Sequence, residues 1–495
     1  MKKQFALLLC AAIILSCVSC GTAEPDDKKP PAESGNPATA DTIETDAPET
    51  EEVNPLPQRD FNDATVNILT AAEQWQHFYN AEDSADVVDS AVYKRNLAVM
   101  EDYGVSLNYV IYNGYSGGVD AVRTALHGSV AGGTKDYDLM VGSVSYVTPR
   151  IGDHYFSDLN EFEEIDLSQP WWYQYINEQL DLNGRLYVGA GSLGMTTVAN
   201  SVVAFFNHEL ADKHNLNSLY GKNLYKLAED GEFTYDKFVQ MSEIVTNDTN
   251  SDGVYNSADT MGFITTYDYF AFIVNAFEYF YTTPQDDGAV QLTGFTERLA
   301  AISEKIQATL NSNYYLDASK DEAMIGNVYN AMINNFATGK NLFMLHQLQH
   351  STKDEMRNME GYGFLPLPKF DDAQKNYYTP VVPEVAAIPL LVNDAELSGT
   401  MMEALQYYTY KLVRPEYFEI ALKRKMSRDE ESAKMLDLIM KGAVSDFAYN
   451  YLSVVGDDLM YGIIRTSDYA SFAAGNFGRY QGNIDAFVDV VNNFE

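Results

Sequence analysis

The spacing of apolar residues changes period again and again along this chain. Thr65–Leu69 (TVNIL) has strand length and follows polar turn residues, Val105–Tyr112 alternates like a strand, and Tyr137–Val141 (YDLMV) is a short apolar run of the buried type. Between them, Asp89–Tyr103 carries Val92, Leu97 and Met100 at helical spacing and stops at Gly104, and Val119–Gly128 also reads as a helix. This strand–helix alternation predicts a mainly parallel α/β sheet. Further along, the pattern predicts helices over Leu224–Asp230, Phe238–Val245, Tyr267–Phe280, Thr296–Leu310 and Ala323–Phe336. Strands follow at Gly339–Leu345 and Gly363–Leu367. Tyr377–Leu391 is predicted to be extended, because Pro380, Pro383 and Pro389 oppose a helix. Glu403–Val413, Glu416–Lys423, Asp429–Met440 and Ile484–Asn492 complete the predicted helices. Ser168 is placed to cap a helix that Trp171 and Trp172 enter; adjacent residues on a helix face different ways, so one is expected in the core and one toward a cleft.

One stretch breaks this rhythm. Asn183–Leu210 holds two apolar runs, Leu186–Val188 and Val202–Phe206, joined by a glycine-rich segment. Gly189, Gly191 and Gly194 spell G-x-G-x-x-G. A dinucleotide loop of that spelling needs a helix opening directly on its last glycine, so that helical N–H groups meet the pyrophosphate. Here a β-branched and aromatic run follows instead, so the segment reads as two strands and a joint. The three glycines are expected to act as a hinge where the chain crosses between two lobes, which a chain of 495 residues is long enough to build.

Charge narrows the function. With 71 acidic residues against 33 basic ones the formal charge is −38, which excludes the basic footprint that nucleic acid or an anionic membrane surface requires. The three cysteines, Cys10, Cys17 and Cys20, all fall at the N-terminus, so the body has no disulfide, thiolate metal site or cysteine nucleophile. Lys2 and Lys3 precede the apolar run Phe5–Leu15, which is too short for a comfortable membrane span, and small residues with cysteine follow. That pattern reads as a lipoprotein signal peptide over 1–19, with lipid on Cys20; Cys17 is the alternative. Residues 20–57 form an acidic, proline-rich tether with no Phe, Tyr or Trp, unable to bury enough apolar surface to order itself.

The most specific motif is Asp248–Asp259. Asp248, Asn250, Asp252, Asn256 and Asp259 put side-chain oxygens at positions 1, 3, 5, 9 and 12 of a twelve-residue loop. Gly253 stands at the turn and the Val254 carbonyl at position 7. This is the logic of an EF-hand loop and predicts one structural Ca²⁺; Asp259, where that loop carries Glu, weakens bidentate ligation. His346 and His350 have i, i+4 spacing, but no acidic residue completes a zinc motif and the segment follows a predicted strand, so zinc is not expected. There is no G-x-S-x-G and no P-loop, and carboxylates such as Glu163, Glu164 and Glu384 are too numerous to single out an acid–base pair. The chain is expected to bind rather than to catalyse.

Taken in order, the leader, YDLMVGSVSYVTP, DLSQPWWYQ, NGRLYVGAGSLGMTTVANSVVAFFNHEL, GEFTYDKFVQ, FATGKNLFML and GYGFLPLPKF followed by YYTPVVPEVAAIP resemble the extracellular solute-binding proteins of family 1, the maltose-binding-like class that feeds ABC importers. The resemblance implies a two-lobe α/β fold of the periplasmic-binding-protein type II kind, with 58–199 plus 346–384 as lobe 1 and 200–345 plus 385–495 as lobe 2. It implies a monomer, lipid-anchored on the extracellular face of the cell membrane, that delivers a mono- or oligosaccharide to ABC permease subunits. Sugars are held by aromatic faces and by polar groups on their hydroxyls, so the implied ligand-binding residues are Trp75, Tyr146, Trp171, Tyr267, Tyr269, Gln347 and Glu384. His-Gln-Leu-Gln after Leu345 departs from the tryptophan-bearing segment of maltose binders and argues against a maltodextrin. Two alternatives stay open: a non-sugar solute such as a peptide, and a surface glycan-active enzyme. An anionic ligand is disfavoured, because the candidate loops hold no cation beyond Arg150 and Lys340.

Overall fold

Ten short strands make two five-stranded sheets. In chain order they are β1 (Ala64–Ala71), β2 (Val105–Tyr112), β3 (Leu139–Ser143), β4 (Gly189–Ala190), β5 (Val202–Asn207), β6 (Met261–Thr265), β7 (Tyr315–Asp317), β8 (Asn341–Gln347), β9 (Tyr362–Leu365) and β10 (Glu384–Ala387). The computed structural model describes residues 54–71, 82–112, 115–285, 289–359, 361–417 and 430–493. The leader, the tether up to residue 53, Cys17, Cys20 and Trp75 lie outside the described residues, as does most of the helix expected over Glu416–Lys423. Among the described residues no helix is long and apolar enough to cross a membrane.

The first sheet has the order β2-β1-β3-β10-β4, with β1 parallel to β2 and β3, and β10 antiparallel to β3 and β4. The second has the order β9-β5-β8-β6-β7; β6 is parallel to β8 and β7, and β5 is antiparallel to β8 and β9. β5, β6, β9 and β10 are buried at every position, as expected of strands covered on both faces. Helices supply the cover. Val87–Tyr103 starts where the Asp86 carboxylate accepts the Val88 and Asp89 N–H groups and stops at Gly104, whose φ of 57° permits the left-handed turn.

The division between the sheets differs from the expected one. The resemblance places 346–384 in the first lobe, yet Tyr362–Leu365 pairs with β5, so the chain remains in the second sheet through β9 and rejoins the first at Glu384. The reason is that β5 hydrogen-bonds along both edges, to β8 on one side and β9 on the other. The resemblance places 385–495 in the second lobe, yet Val385–Ala387 completes the first sheet. The helix Ala395–Tyr408 also packs on that side, with the Tyr408 hydroxyl donating to Asp102. Two segments thus join the sheets within the described residues: 191–201 outward and 366–383 back.

The C-terminal part is locked by one buried carboxylate. Asp446 accepts the N–H of Ala448 at 2.8 Å and of Tyr281 at 2.6 Å, with Thr282 Oγ1 and Asn275 Nδ2 each at 3.1 Å. Burial still pushes it up to about 6. It fixes the short helix Phe447–Asn450 against the end of the helix Tyr269–Ala276.

Candidate functional site

Register brings three strand ends together in the second sheet. Gln347 pairs with Val202, and the Leu348 N–H donates to the Ser201 carbonyl, so the end of β8 meets the start of β5. Met344 pairs with Ile264 in parallel, so His346 stands level with Thr266 just beyond β6. Thr265 Oγ1 donates to the Leu345 carbonyl at 2.9 Å and ties the same two strands. Ligands of open α/β sheets sit beyond such carboxyl ends.

Ser201, Thr266, His346 and Gln347 at this end are polar and uncharged, while Asp317, paired with Thr265 in register, brings a carboxylate to the same edge. Ser201 Oγ, Thr266 Oγ1 and His346 Nε2 are buried and have no hydrogen-bond partner among the described residues, and His350 Nδ1 shares that condition. Each such atom costs roughly 1–3 kcal/mol until something pairs with it. Around them, Gln349 Nε2 donates to Asn200 Oδ1 and to Gln347 Oε1, both at 2.9 Å. Aromatic rings complete the wall. The Tyr269 hydroxyl lies 2.6 Å from His346 Nδ1, and Tyr329 stacks on the His346 ring at 5.6 Å between centroids. The rings of His346 and His350 stack at 3.7 Å. Burial, His350 and Lys353 hold His346 well below the usual histidine range, and burial with Lys353 pushes His350 down to about 4. Both imidazoles are therefore neutral at pH 7, and with Ser201 and Thr266 they offer neutral donors and acceptors beside aromatic faces. Stacked rings are not the geometry of two nitrogens aimed at one zinc ion.

Of the residues implied by resemblance, Tyr269 and Gln347 lie in this cluster. Tyr146 sits in the short helix after β3 and lays its ring over Gly142, where a Cβ would collide with it. Tyr267 is 36% exposed and borders the Arg465 guanidinium. Glu384 is buried at the start of β10; its N–H donates to Thr197 Oγ1 at 2.9 Å and its side chain faces Tyr173 and Tyr417.

Trp171 is a correction. Both tryptophans are buried in a turn that precedes the helix Gln174–Glu178, so neither enters a helix and neither is held apart from the other by helical geometry. The two indoles converge on one carboxylate: Trp171 Nε1 donates to Glu403 Oε1 at 2.8 Å and Trp172 Nε1 to Glu403 Oε2 at 2.9 Å. Burial nevertheless pushes Glu403 up to about 7, against the lowering effect of the two indoles. Nothing in the local pattern marked Glu403, which is more than 200 residues away from its partners. Asn200, Gln349 and the two histidines could have been found by asking which polar residues end strands that otherwise run apolar.

The glycines of the joint also have a packing role. None of Gly189, Gly191 and Gly194 has a left-handed φ. Instead each is a point of close approach: a Cβ on Gly189 would stand 2.7 Å from Trp172, one on Gly191 2.8 Å from the Trp171 carbonyl oxygen, and one on Gly194 2.9 Å from that of Glu384. The first strand of the joint is Gly189–Ala190, not Leu186–Val188, and Gly189 is the point where it passes beneath Trp172.

The Asp248–Asp259 loop turns as its sequence requires. Gly253 has φ 80°, and Asp248 accepts the Ser251 N–H at 2.7 Å and the Gly253 N–H at 2.8 Å. Asp252 accepts the Val254 N–H. Burial pushes Asp259 up, but the Thr249 and Asn256 N–H groups that it accepts, with further hydrogen bonds, outweigh burial and leave it below the usual carboxylate range. Among the described residues no three acidic, histidine or cysteine side chains converge closely enough to hold a metal ion. The loop therefore has the right oxygens and the right turn, but its three carboxylates are spent on its own N–H groups rather than gathered.

Comparison with protein-family models and with curated protein sequences gives no match. Solved structures do match in fold. A sugar transporter from Rhizobium etli in an open conformation aligns with a TM-score of 0.55 at 12% identity, over 87% of this chain and all of that one. An ABC substrate-binding protein from Listeria monocytogenes in complex with cycloalternan gives 0.52 at 11% identity, over 86% and 98%. The GacH receptor of Streptomyces glaucescens, solved unliganded and with acarbose, gives 0.50 at 14% identity, over 88% and 100%. This chain thus has the two-lobe α/β fold of the ABC solute-binding proteins that it matches.

Proposed function

We propose that this protein captures a neutral carbohydrate or polyol between its lobes and hands it to an ABC importer. The observation that carries the reading is the set of buried, unpaired, uncharged polar atoms (Ser201 Oγ, Thr266 Oγ1 and His346 Nε2) at one end of the second sheet, beside Tyr269 and Tyr329. Hydroxyl groups pair with such atoms and aromatic rings cover the C–H faces of a sugar. Solute-binding proteins of the same fold were solved with cycloalternan and with acarbose, which supports the ligand class. Because the atoms are buried, entry needs the residues that cover them to part, and this fold supplies such a change through hinge motion between its lobes. The experiment is a thermal-shift panel of neutral sugars and polyols against a panel of peptides. Sugars or polyols should raise the melting temperature by mass action; a shift with peptides alone would replace the ligand class.

Two further parts of the reading rest on sequence. The leader and tether support anchoring by lipid on Cys20, with Cys17 as the alternative, and palmitate labelling of Cys20→Ser and Cys17→Ser variants separates the two. The oxygen spacing and turn of Asp248–Asp259 support a Ca²⁺ site that forms only if Asp248, Asp252 and Asp259 exchange N–H partners for the ion.

A further inference from the structure

A cavity of about 450 Å³ lies where the two joining segments pass each other and shares no lining residue with the sheet end just described. Thr197 and Val198 of the outgoing segment and Val381 of the returning one line it. Trp172, Tyr173 and Tyr175 form another wall, and Met440, Lys441 and Ala443 close it from the helix Glu430–Lys441 and the residues after it. Its size suits a small organic molecule, and its walls are mostly apolar or aromatic.

Its charge is out of character for the molecule. The chain has more than two acidic residues for each basic one, yet the cavity is lined by Arg414 and Lys441 and by no acidic side chain. Lys441 makes no ion pair among the described residues. Arg414 keeps other contacts, its guanidinium standing 5.1 Å from the Tyr410 ring, and adds its charge to the same wall. Two cations on the lining of a largely apolar hollow suit a carboxylate with a hydrophobic body. We propose that this cavity is a second ligand site, distinct from the solute site and specific for a small organic anion, with the carboxylate on Lys441 and Arg414 and the apolar body against Trp172, Tyr173, Val198 and Val381.

Calorimetric titration of the purified full chain with benzoate, and with benzyl alcohol as its neutral counterpart, tests this. Benzoate should bind saturably and benzyl alcohol far more weakly. Lys441→Gln, at an exposed position that leaves the fold untouched, should weaken benzoate about tenfold, the loss of one charge-assisted contact. Met440→Trp should fill the cavity and abolish binding, with circular dichroism unchanged. Thr266→Val, at the solute site, should leave benzoate affinity as it is. The proposal is overturned if benzoate does not bind, if Lys441→Gln binds it as tightly as the parent, if benzyl alcohol binds equally well, or if Thr266→Val removes binding, which would put the anion in the solute site instead.

Discussion

The Glu403 carboxylate makes the stability of this protein depend on pH with a predictable sign. Glu403 is 2% exposed and its two oxygens are taken by the indoles of Trp171 and Trp172. Burial pushes it from 4.5 to about 7. A group raised in the folded state contributes stability that is full below its unfolded pKa and is lost as pH rises through its folded one. The window therefore runs from pH 4.5 to about 7, and at 1.36 kcal/mol per tenfold the loss across it is roughly 3 kcal/mol. Glu403→Gln keeps the shape and removes the titration. The assay is urea unfolding followed by tryptophan fluorescence, at several pH values across the window, for both proteins. Asp446, also raised by burial, shifts both proteins alike and cancels in the comparison. The advantage of the parent over the variant should shrink by roughly 3 kcal/mol as pH rises across the window. A constant difference, or one that grows with pH, would mean that the two indole donors outweigh burial and keep the carboxylate ionised.

Other outcomes follow from single contacts. Gly194→Ala sets a Cβ 2.8 Å from the Glu384 Cβ and 2.9 Å from its carbonyl oxygen, so it should cost about 1–3 kcal/mol in urea unfolding; a neutral result would show that the crossing yields easily. Calcium titrated into the chelator-treated protein should raise its melting temperature, and Asp248→Ala should remove the shift; no shift at millimolar calcium would assign the loop a purely structural turn. Asp446→Asn breaks a carboxylate that accepts four donors, so unfolding should begin in the C-terminal helices, detectable as early hydrogen exchange there; unchanged protection would refute its role as the anchor.

Much of this was legible in the apolar pattern. Val105–Tyr112 is a strand over the predicted residues, and helices expected at Thr296–Leu310 and Asp429–Met440 appear at Glu297–Leu310 and Glu430–Lys441. Period and caps are local signals, and these elements are built from local signals. What failed was long-range. Which sheet takes Tyr362–Leu365 depends on the free edge of β5, some 155 residues earlier, and no local spacing records that. The tryptophan pair was misplaced for the same reason, since its orientation is decided by Glu403 far along the chain. The site was half legible. Tyr269 and Gln347 were indicated by resemblance, whereas the pairing of Ser201, Thr266 and His346 at one level appears only once register is known. The histidines looked like a failed metal motif because spacing alone does not reveal that their rings stack.

The central claim is that the orphaned polar atoms at the end of the second sheet await the hydroxyls of a neutral solute. The direct measurement is calorimetric titration of the best ligand from the sugar and polyol panel into the parent protein and into Thr266→Val, which removes one of those atoms and changes little else. The parent should bind saturably, and the variant should lose about 1–3 kcal/mol of binding free energy, roughly tenfold or more in affinity, while its melting temperature without ligand holds or rises. Equal binding by both proteins, or no binding of any sugar or polyol by the parent, would contradict the account.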